Sequence, residues 1–449
     1  MLTSEAHAPI RAPPAPRSIE APRMLMPDAS LVAARRRRSL IAVLLCNVLE
    51  WFDFAVYGML AVYLARAFFP GDSAHVGLLA TLAVFGVSFV MRPLGGLLLG
   101  GIGDGRGRKP ALLVAAGLMA ASTFAIGLIP AHERIGMLAP VLLLAARLAQ
   151  GFSAGGEWGV ANAFLLESAP LGRRGFATSF MAATVALGSG LASALTAALV
   201  GFLPAAAMES WGWRVPFLLG GVLGLVALWL RTGLDETPVY RGEAGTAVSA
   251  GEVLRRVHRP MLTVFGLTMH WTVCFYVFLI YLPLFTQKQG GLSPSEANWA
   301  NTLSTIAIML LVPLVGHLSD RHGRRPFLMA SCVLILLLTL PALWSIANIQ
   351  GFALTAAIEL LLGASIALYS GAAPAVLVEL FAARDRSRWS SVAYALAAAV
   401  FGGFAPFIAV WLTGALGSPL APALYVIAAS ATSLVTIWHM PETAHAPVA

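Results

Sequence analysis

The chain has 449 residues, 58% of them hydrophobic and only 11% charged, with three cysteines and a net charge of +8. A soluble domain carries roughly 25% charged residues, so lipid is the solvent for most of this chain. Cys46, Cys274 and Cys332 are scattered through apolar runs without metal-ligand spacing, which argues against disulfides and zinc, and basic charge gathered in short loops speaks for membrane topology rather than nucleic acid.

Residues 1–38 are rich in Ala, Pro and Arg and end in Arg35-Arg36-Arg37-Arg38. They predict an uncleaved, disordered basic tail that meets anionic headgroups. The apolar run that follows is too long for a signal peptide, and no small-residue cleavage site follows it. Apolar runs of about 20 residues then predict twelve spans, near 39–65, 76–99, 111–130, 137–165, 176–203, 215–233, 260–286, 296–317, 327–347, 352–380, 390–416 and 422–440. Backbone in lipid must satisfy its own hydrogen bonds, so these are helices. A polar loop at 234–259 separates a bundle at 39–233 from one at 260–440, and 441–449 is a short tail. The predicted fold is all-α and integral to the membrane: twelve transmembrane helices in two pseudo-symmetric six-helix bundles. Of the 29 Lys and Arg residues, 23 fall in the first tail and in the loops at 100–110, 169–175, 231–259, 318–326 and 382–389. Basic loops stay inside, so both termini are expected in the cytoplasm, with the chain in the inner membrane.

One motif, GxxxDxxG[RK][RK], occurs twice. It reads Gly100-Gly101-Ile102-Gly103-Asp104-Gly105-Arg106-Gly107-Arg108-Lys109 and, 216 residues later, Gly316-His317-Leu318-Ser319-Asp320-Arg321-His322-Gly323-Arg324-Arg325. The duplication runs deeper. Arg147, Gly151 and Glu167 in span four map, with a common offset of 212, onto Glu359, Gly363 and Glu379 in span ten. Internal repeats of this kind build many secondary transporters. The motif acids and bases sit at span ends, where Asp104 with Arg108 and Asp320 with Arg324 make a charge latch that engages Glu167 and Glu379 and holds an outward-open state. The plain alternative is charge that only sets topology.

Ionisable groups inside spans cost several kcal/mol when unpaired. Those are Glu50, Asp53, Arg92, Arg147, Glu157, His270 and Glu359. Glu50 and Asp53 are three apart and share a helix face, with Asn47 one turn lower. Glu50 lies about 17 Å from the start of its span at ~1.5 Å per residue, near mid-membrane. Mutual repulsion and burial both favour the protonated form, so Asp53 or Glu50 is the first candidate proton carrier and Glu157 the third. A structural ion pair with an arginine is the alternative. Arg92 precedes Pro93, which frees a carbonyl and invites a kink; it reads as a gate element before a ligand. His270 reads as a hydrogen-bonded core histidine before a proton relay. Trp51 and Trp158 each adjoin an acid, and aromatic plus acid can cage a quaternary ammonium, but neighbours on a helix point about 100° apart, so packing is the better reading. Gly155-Gly156 and Gly188-Ser189-Gly190 lie inside apolar spans, without the strand–loop–helix context of a phosphate site. There is no GxxxxGK[ST] loop to drive transport with ATP, and no clustered nucleophile and base to make an enzyme. ATP drive and a cofactor are therefore not expected.

The loop motifs, twelve spans and central loop resemble the major facilitator superfamily across the whole chain. Cys46-Asn47-Val48-Leu49-Glu50-Trp51-Phe52-Asp53-Phe54, Tyr57-Gly58, Arg92-Pro93-Leu94-Gly95-Gly96, Gln150-Gly151-Phe152-Ser153-Ala154-Gly155-Gly156-Glu157, Gly212-Trp213-Arg214-Val215-Pro216-Phe217 and Asp235-Glu236-Thr237-Pro238 resemble its metabolite–proton symporter family. One departure is Gly105, where the motif usually carries a base; the second copy keeps Arg321. The resemblance implies that helices one, four, seven and ten line a central cavity, and that the protein takes up small organic acids, or zwitterions such as proline and betaine, with protons. Leu368-Tyr369-Ser370-Gly371 and Gly402-Gly403-Phe404-Ala405-Pro406 look most like citrate and tricarboxylate members. The implied substrate is citrate, tricarballylate or α-ketoglutarate, with the zwitterionic osmolyte as the alternative. The partners expected are this acid, protons and lipid, with no nucleic acid, for a monomer. Arg147-x-x-Gln150-Gly151 resembles proton-coupled members, and the planar fork of Arg147 suits a carboxylate. Asn47, Tyr57, Arg147, Gln150, His270, Glu359 and Tyr369 form the candidate substrate-binding set. Arg147 and Glu359, as repeat counterparts, are expected to approach across the pseudo-two-fold axis in one state of the cycle, or Glu359 to pair within its own half. An efflux antiporter would carry a GP motif in span five, which has no proline at Ala186-Leu187-Gly188-Ser189-Gly190, and a sensor would carry an added soluble domain.

Overall fold

The computed structural model describes residues 29–71, 73–106, 108–155, 158, 162, 165–166, 169–170, 172–232 and 250–444, and all described secondary structure is helical. Glu157 and Glu167 lie outside the described residues, as do the side chains of Asp104 and Arg108. The chain divides into two units, 1–39 and 40–449.

The first span is α1 (Ala29–Met59) followed by α2 (Ala61–Phe68), with a 65° bend between them. Helix α1 begins at Ala29, so residues 29–38, predicted as part of a disordered tail, are helical. After Pro27 this stretch holds only residues the helix tolerates, mostly Ala and Arg, which favour it. Next come α3 (Ala74–Arg106), α4 (Arg108–Leu128), α5 (Leu138–Ala154), α6 (Arg174–Phe202) and α7 (Val215–Thr232). The second half runs α8 (Ala250–Tyr276), a wider π-type turn at Val277–Tyr281, α9 (Leu282–Lys288), α10 (Pro294–His322), α11 (Arg325–Asn348) and α12 (Phe352–Glu379). It closes with α13 (Ala383–Ala397), a π-type turn at Ala398–Gly402, α14 (Ala405–Leu416) and α15 (Pro422–His439).

Among the described residues nine helical stretches are each long and apolar enough to cross a membrane, the bent α1–α2 pair makes a tenth, and Leu113–Leu128 and Leu138–Ala154 are shorter apolar helices. They coincide with the twelve predicted spans. Local chemistry sets their ends. Ser293 caps α10 in a reciprocal capping box with Glu296, and Pro294 fills the first turn. Gly323, at φ +90°, ends α10 so that α11 can start two residues later.

Inside the first half α3 packs on α5 and α4 on α7; inside the second, α10 packs on α12 and α11 on α15. The α3–α5 crossing is close enough that a Cβ on Gly151 would strike the Ser88 carbonyl, and one on Gly95 the carbonyl of Phe152. Helices approach this closely only where glycine faces backbone. The two halves meet along α6 and α10. Gly175 faces Gly316 near one end, Gly190 faces Thr305 in the middle, and Ser295 Oγ donates to the Ala197 carbonyl (3.0 Å) near the other. A second seam joins α3 to α13 and α14, where Gly403 packs on Phe89.

Candidate functional site

The tight α3–α5 crossing brings Ser88 and Arg92 level with Arg147 and Gln150, and α1 and α4 complete the group. Arg147 is fully buried. Its Nη1 donates to Gln150 Oε1 (2.8 Å) and its Nη2 to Ser88 Oγ (3.2 Å). Gln150 Nε2 donates to Thr123 Oγ1 (2.7 Å), and Thr123 Oγ1 donates to Asp53 Oδ2 (2.8 Å). The direction of this chain is forced. A guanidinium only donates, so it takes the amide oxygen of Gln150. The amide nitrogen only donates, so the Thr123 oxygen accepts it and turns its single proton on Asp53. Asp53 Oδ1 has no hydrogen-bond partner among the described residues. The faces of Tyr57, Phe85 and Phe54 lie 4.3, 5.2 and 5.0 Å from the Arg147 guanidinium. The predicted Asp53, Tyr57, Arg147 and Gln150 are thus brought together; Ser88 and Thr123 complete them.

Glu50 and Asp53 share a small cavity of about 30 Å³ with Cys46, Met119, Ser153 and Gly224. Glu50 lies 4.0 Å from Arg92 Nη2, a long ion pair. Arg92 is buried against Phe89, Phe54 and Trp51, whose ring centres lie 4.2, 4.6 and 5.7 Å from its guanidinium. Its Nε and Nη2 have no hydrogen-bond partner among the described residues. Asn47, a turn from Glu50, is bonded to α6 through Met181 O (3.2 Å) and Thr184 Oγ1 (2.8 Å).

Between the halves lies a central cavity of about 20 Å³, walled by Trp51, Trp158, Trp271, Phe275, Tyr276 and Tyr394 with Ser370. Among the described residues no charged side chain lines it. Trp158 stacks on Tyr394, with ring centres 4.1 Å apart and 10° between planes. Trp51 meets Phe275 edge-on at 5.4 Å, and Trp271 Nε1 donates to Ser370 Oγ (2.9 Å). Such a space holds about one water, so this conformation is one in which the aromatic walls have closed on each other. The two tryptophans, read as packing, do pack, and the wall they form belongs to both halves.

His270 and Tyr369 sit inside the second half, apart from that wall. His270 Nδ1 is 2.8 Å from Ser430 Oγ and its Nε2 is 3.2 Å from Ser331 Oγ, while Tyr369 donates to the Leu267 carbonyl (2.7 Å). Glu359 is buried on α12, and its carboxyl makes no hydrogen bond to Arg147 in this conformation.

At the end of the bundle that carries the basic loops, the second motif copy forms a network. Asp320 accepts from the backbone N–H of Gly175 (2.8 Å) and Phe176 (2.9 Å), the first turn of α6 in the other half. Arg324 bridges Asp320 (2.9 Å) and Glu379 (3.1 Å) and donates to Ser319. The sequence reading passed over Glu442 and Thr443 as part of a short tail. Glu442 accepts from the backbone N–H groups of Arg324, Arg325, Thr443 and Ala444 (2.8–3.1 Å), and Thr443 Oγ1 donates to Glu379 (2.6 Å). Burial alone would raise the Glu442 carboxyl, but those four donors outweigh it and hold it below the usual carboxylate range.

Residues 39–262 match the family described as "Sugar (and other) transporter" and residues 287–449 the one described as "Major Facilitator Superfamily". The chain is 36% identical to the alpha-ketoglutarate permease of Escherichia coli, over 86% of this chain and 90% of that one. It is 37% identical to the citrate-proton symporter of Klebsiella pneumoniae (88% and 89%) and 36% to the glycine betaine/proline/ectoine/pipecolic acid transporter OusA of Dickeya dadantii (92% and 85%). Among solved structures, the partially occluded inward-open xylose transporter XylE from Escherichia coli superposes with a TM-score of 0.75 at 16% identity, over 91% of this chain and 99% of that one.

Proposed function

Because this chain belongs to the major facilitator superfamily, we propose that it is a proton-coupled importer of a small carboxylate, working by alternating access between its two six-helix halves. It is a multi-pass transporter; we place it in the cytoplasmic membrane, with the basic loops and both termini inside. The observation that carries the reading is the one-way chain from Arg147 to Asp53. Every bond in it donates toward Asp53, so the chain stabilises the ionised carboxylate, while Oδ1 remains to receive a proton. Protonation removes the charge that the chain stabilises and weakens its last hydrogen bond, which loosens the tie between Asp53 and Arg147.

Arg92 supports the carboxylate. It is a buried guanidinium with two nitrogens that lack hydrogen-bond partners among the described residues, against Trp51 in the cavity wall. A planar fork of this kind suits a carboxylate. The relatives named for citrate or alpha-ketoglutarate and those named for betaine or proline stand at near-equal identity. A second reading, a zwitterionic solute, draws support from the aromatic cavity wall, whose Trp and Tyr faces suit a methylated or ring ammonium.

The test is uptake into proteoliposomes under an inside-alkaline pH gradient, with citrate, α-ketoglutarate, proline and betaine as labelled solutes. Uptake that collapses with a protonophore and follows betaine or proline supports the zwitterion. Uptake of the acids alone returns the reading to an organic-acid symporter, and gradient-independent uptake of all four refutes proton coupling.

A further inference from the structure

The duplication places a stranded acid where the first half has its relay. With the offsets of the two repeats, Ser88, Arg147 and Gly151 correspond to Ser304, Glu359 and Gly363. The frame is the same: Gly151 packs on Ser88 in the α3–α5 crossing, and Gly363 on Ser304 in the α10–α12 crossing. The chemistry is not. Leu362 stands where the relay has Gln150, so nothing continues a hydrogen-bonded chain. Ser304 donates to the main-chain oxygen of Glu359 (2.7 Å) instead of meeting its side chain.

Glu359 is 2% exposed, and neither carboxyl oxygen has a hydrogen-bond partner among the described residues. One turn away on the same face, Thr355 Oγ1 is buried and also without a partner. Among the described residues no charged or titratable group on the packed elements hydrogen-bonds the Glu359 carboxyl. Asp320 and Glu296 hold the two ends of α10, His270 and Cys274 on α8 meet Ser430, and Tyr281 meets Thr413. Cys332 on α11, Tyr394 on α13, and Arg174 at the start of α6 form no ion pair or hydrogen bond with Glu359 among the described residues. An ionised carboxylate cannot persist in so apolar a place without a partner. The neutral acid fits it.

We propose that Glu359 is a second proton-binding site of the transport cycle, loaded in this conformation and discharged in the state that opens its surroundings to water. The proposal rests on the reading of the chain as a proton-coupled symporter. Helix α12 begins at Phe352, on the face opposite the basic loops, so Glu359 lies roughly 10 Å in from that face at ~1.5 Å per residue. Thr355 stands between, as a stepping point for the proton. Coupling is then divided: Asp53 answers to Arg147 in one half, and Glu359 to its exposure to water in the other.

The experiment is the proton-to-solute stoichiometry of the wild type and of Glu359→Gln, from reversal potentials in proteoliposomes. We expect E359Q to couple about one proton fewer per solute. An unchanged stoichiometry overturns the proposal. A wild type that moves no protons refutes the symporter reading itself, which is a distinct result. Should E359Q fail to assemble, Glu359→Asp carries the test. A shifted pH midpoint of uptake supports titration in the cycle, and an unshifted one overturns it.

Discussion

Asp53 and Arg147, on different helices, are the two ends of one directed hydrogen-bonded chain rather than an ion pair. Two intermediates, Thr123 and Gln150, separate them. The consequence is electrostatic. A direct contact would hold Asp53 ionised at nearly all times, whereas a chain conveys only the preference of its last hydroxyl. On the proton-carrier reading, that arrangement lets the carboxylate gain and lose a proton while its charge stays linked to a helix packed on α3 and α4.

Thr123→Val removes the hydroxyl and keeps the shape. It leaves Asp53 Oδ2 and Gln150 Nε2 without their partner, at about 1–3 kcal/mol for each buried polar group. Losing a donor to the carboxylate favours its protonated form. Uptake should therefore move its pH profile to more alkaline values by on the order of one unit. A profile that superimposes on the wild type would remove Thr123 from the coupling path.

Asp53→Asn cannot load a proton. Gradient-driven accumulation should fall to background, about 100-fold down, since proton coupling and not solute binding is lost. Exchange of labelled for unlabelled solute at equal pH should continue. Retained accumulation would shift the role to Glu50, three residues away and in the same small cavity.

Most of the fold was legible because lipid demands about 20 apolar residues per helix, and the long apolar helices among the described residues fall where those runs lie. The bend after Met59 was not, since no proline marks it, and Pro283 and Pro406 announce a disturbance of their helices without saying that it takes the form of the π-type turns at Val277–Tyr281 and Ala398–Gly402. Asp53, Arg147 and Gln150 stood out as polar groups in apolar runs. Thr123 and Ser88 did not, because hydroxyls inside helices usually bond their own backbone, as Ser88 also does to Phe85. The aromatic wall was hidden for a related reason. Trp271, Tyr276 and Tyr394 belong to spans far apart in sequence, and only their convergence distinguishes them from packing residues.

Gly151→Ala should destabilise the first half. The added methyl meets the Ser88 carbonyl, a backbone atom that cannot step aside, and overpacking of this kind costs about 1–3 kcal/mol. Gly117, also helical, has nothing within 4 Å of such a methyl. Gly117→Ala should stabilise by up to about 1 kcal/mol through helix propensity. Thermal unfolding in detergent separates the pair; equal melting would show that the α3–α5 crossing is loose.

Arg92→Lys keeps the charge and loses the fork. If a solute carboxylate docks there, KM should rise about tenfold, worth 1.4 kcal/mol, with a smaller change in kcat. An unchanged KM with a slower turnover would instead make Arg92 a gate, bound only to Glu50 and the rings around it.

Glu442 ties residues 442–444 to the Asp320–Arg324–Glu379 network, since it caps the start of α11 while its neighbour Thr443 holds Glu379. Its carboxyl lies below the usual range in the folded protein, so its contribution is present above the unfolded value and lost as pH falls through the folded one. Hydrogen exchange at the Arg324 and Arg325 amides should therefore be slow at neutral pH and, corrected for intrinsic rates, quicken only in acid. Glu442→Gln replaces an anion by a neutral amide that accepts through one oxygen. Those two amides should exchange faster already at neutral pH, by about tenfold for the loss of one charge-assisted bond, and the acid step should vanish. Protection that is the same in both proteins would mean that Asp320 and Glu379 hold the network around Arg324 without Glu442.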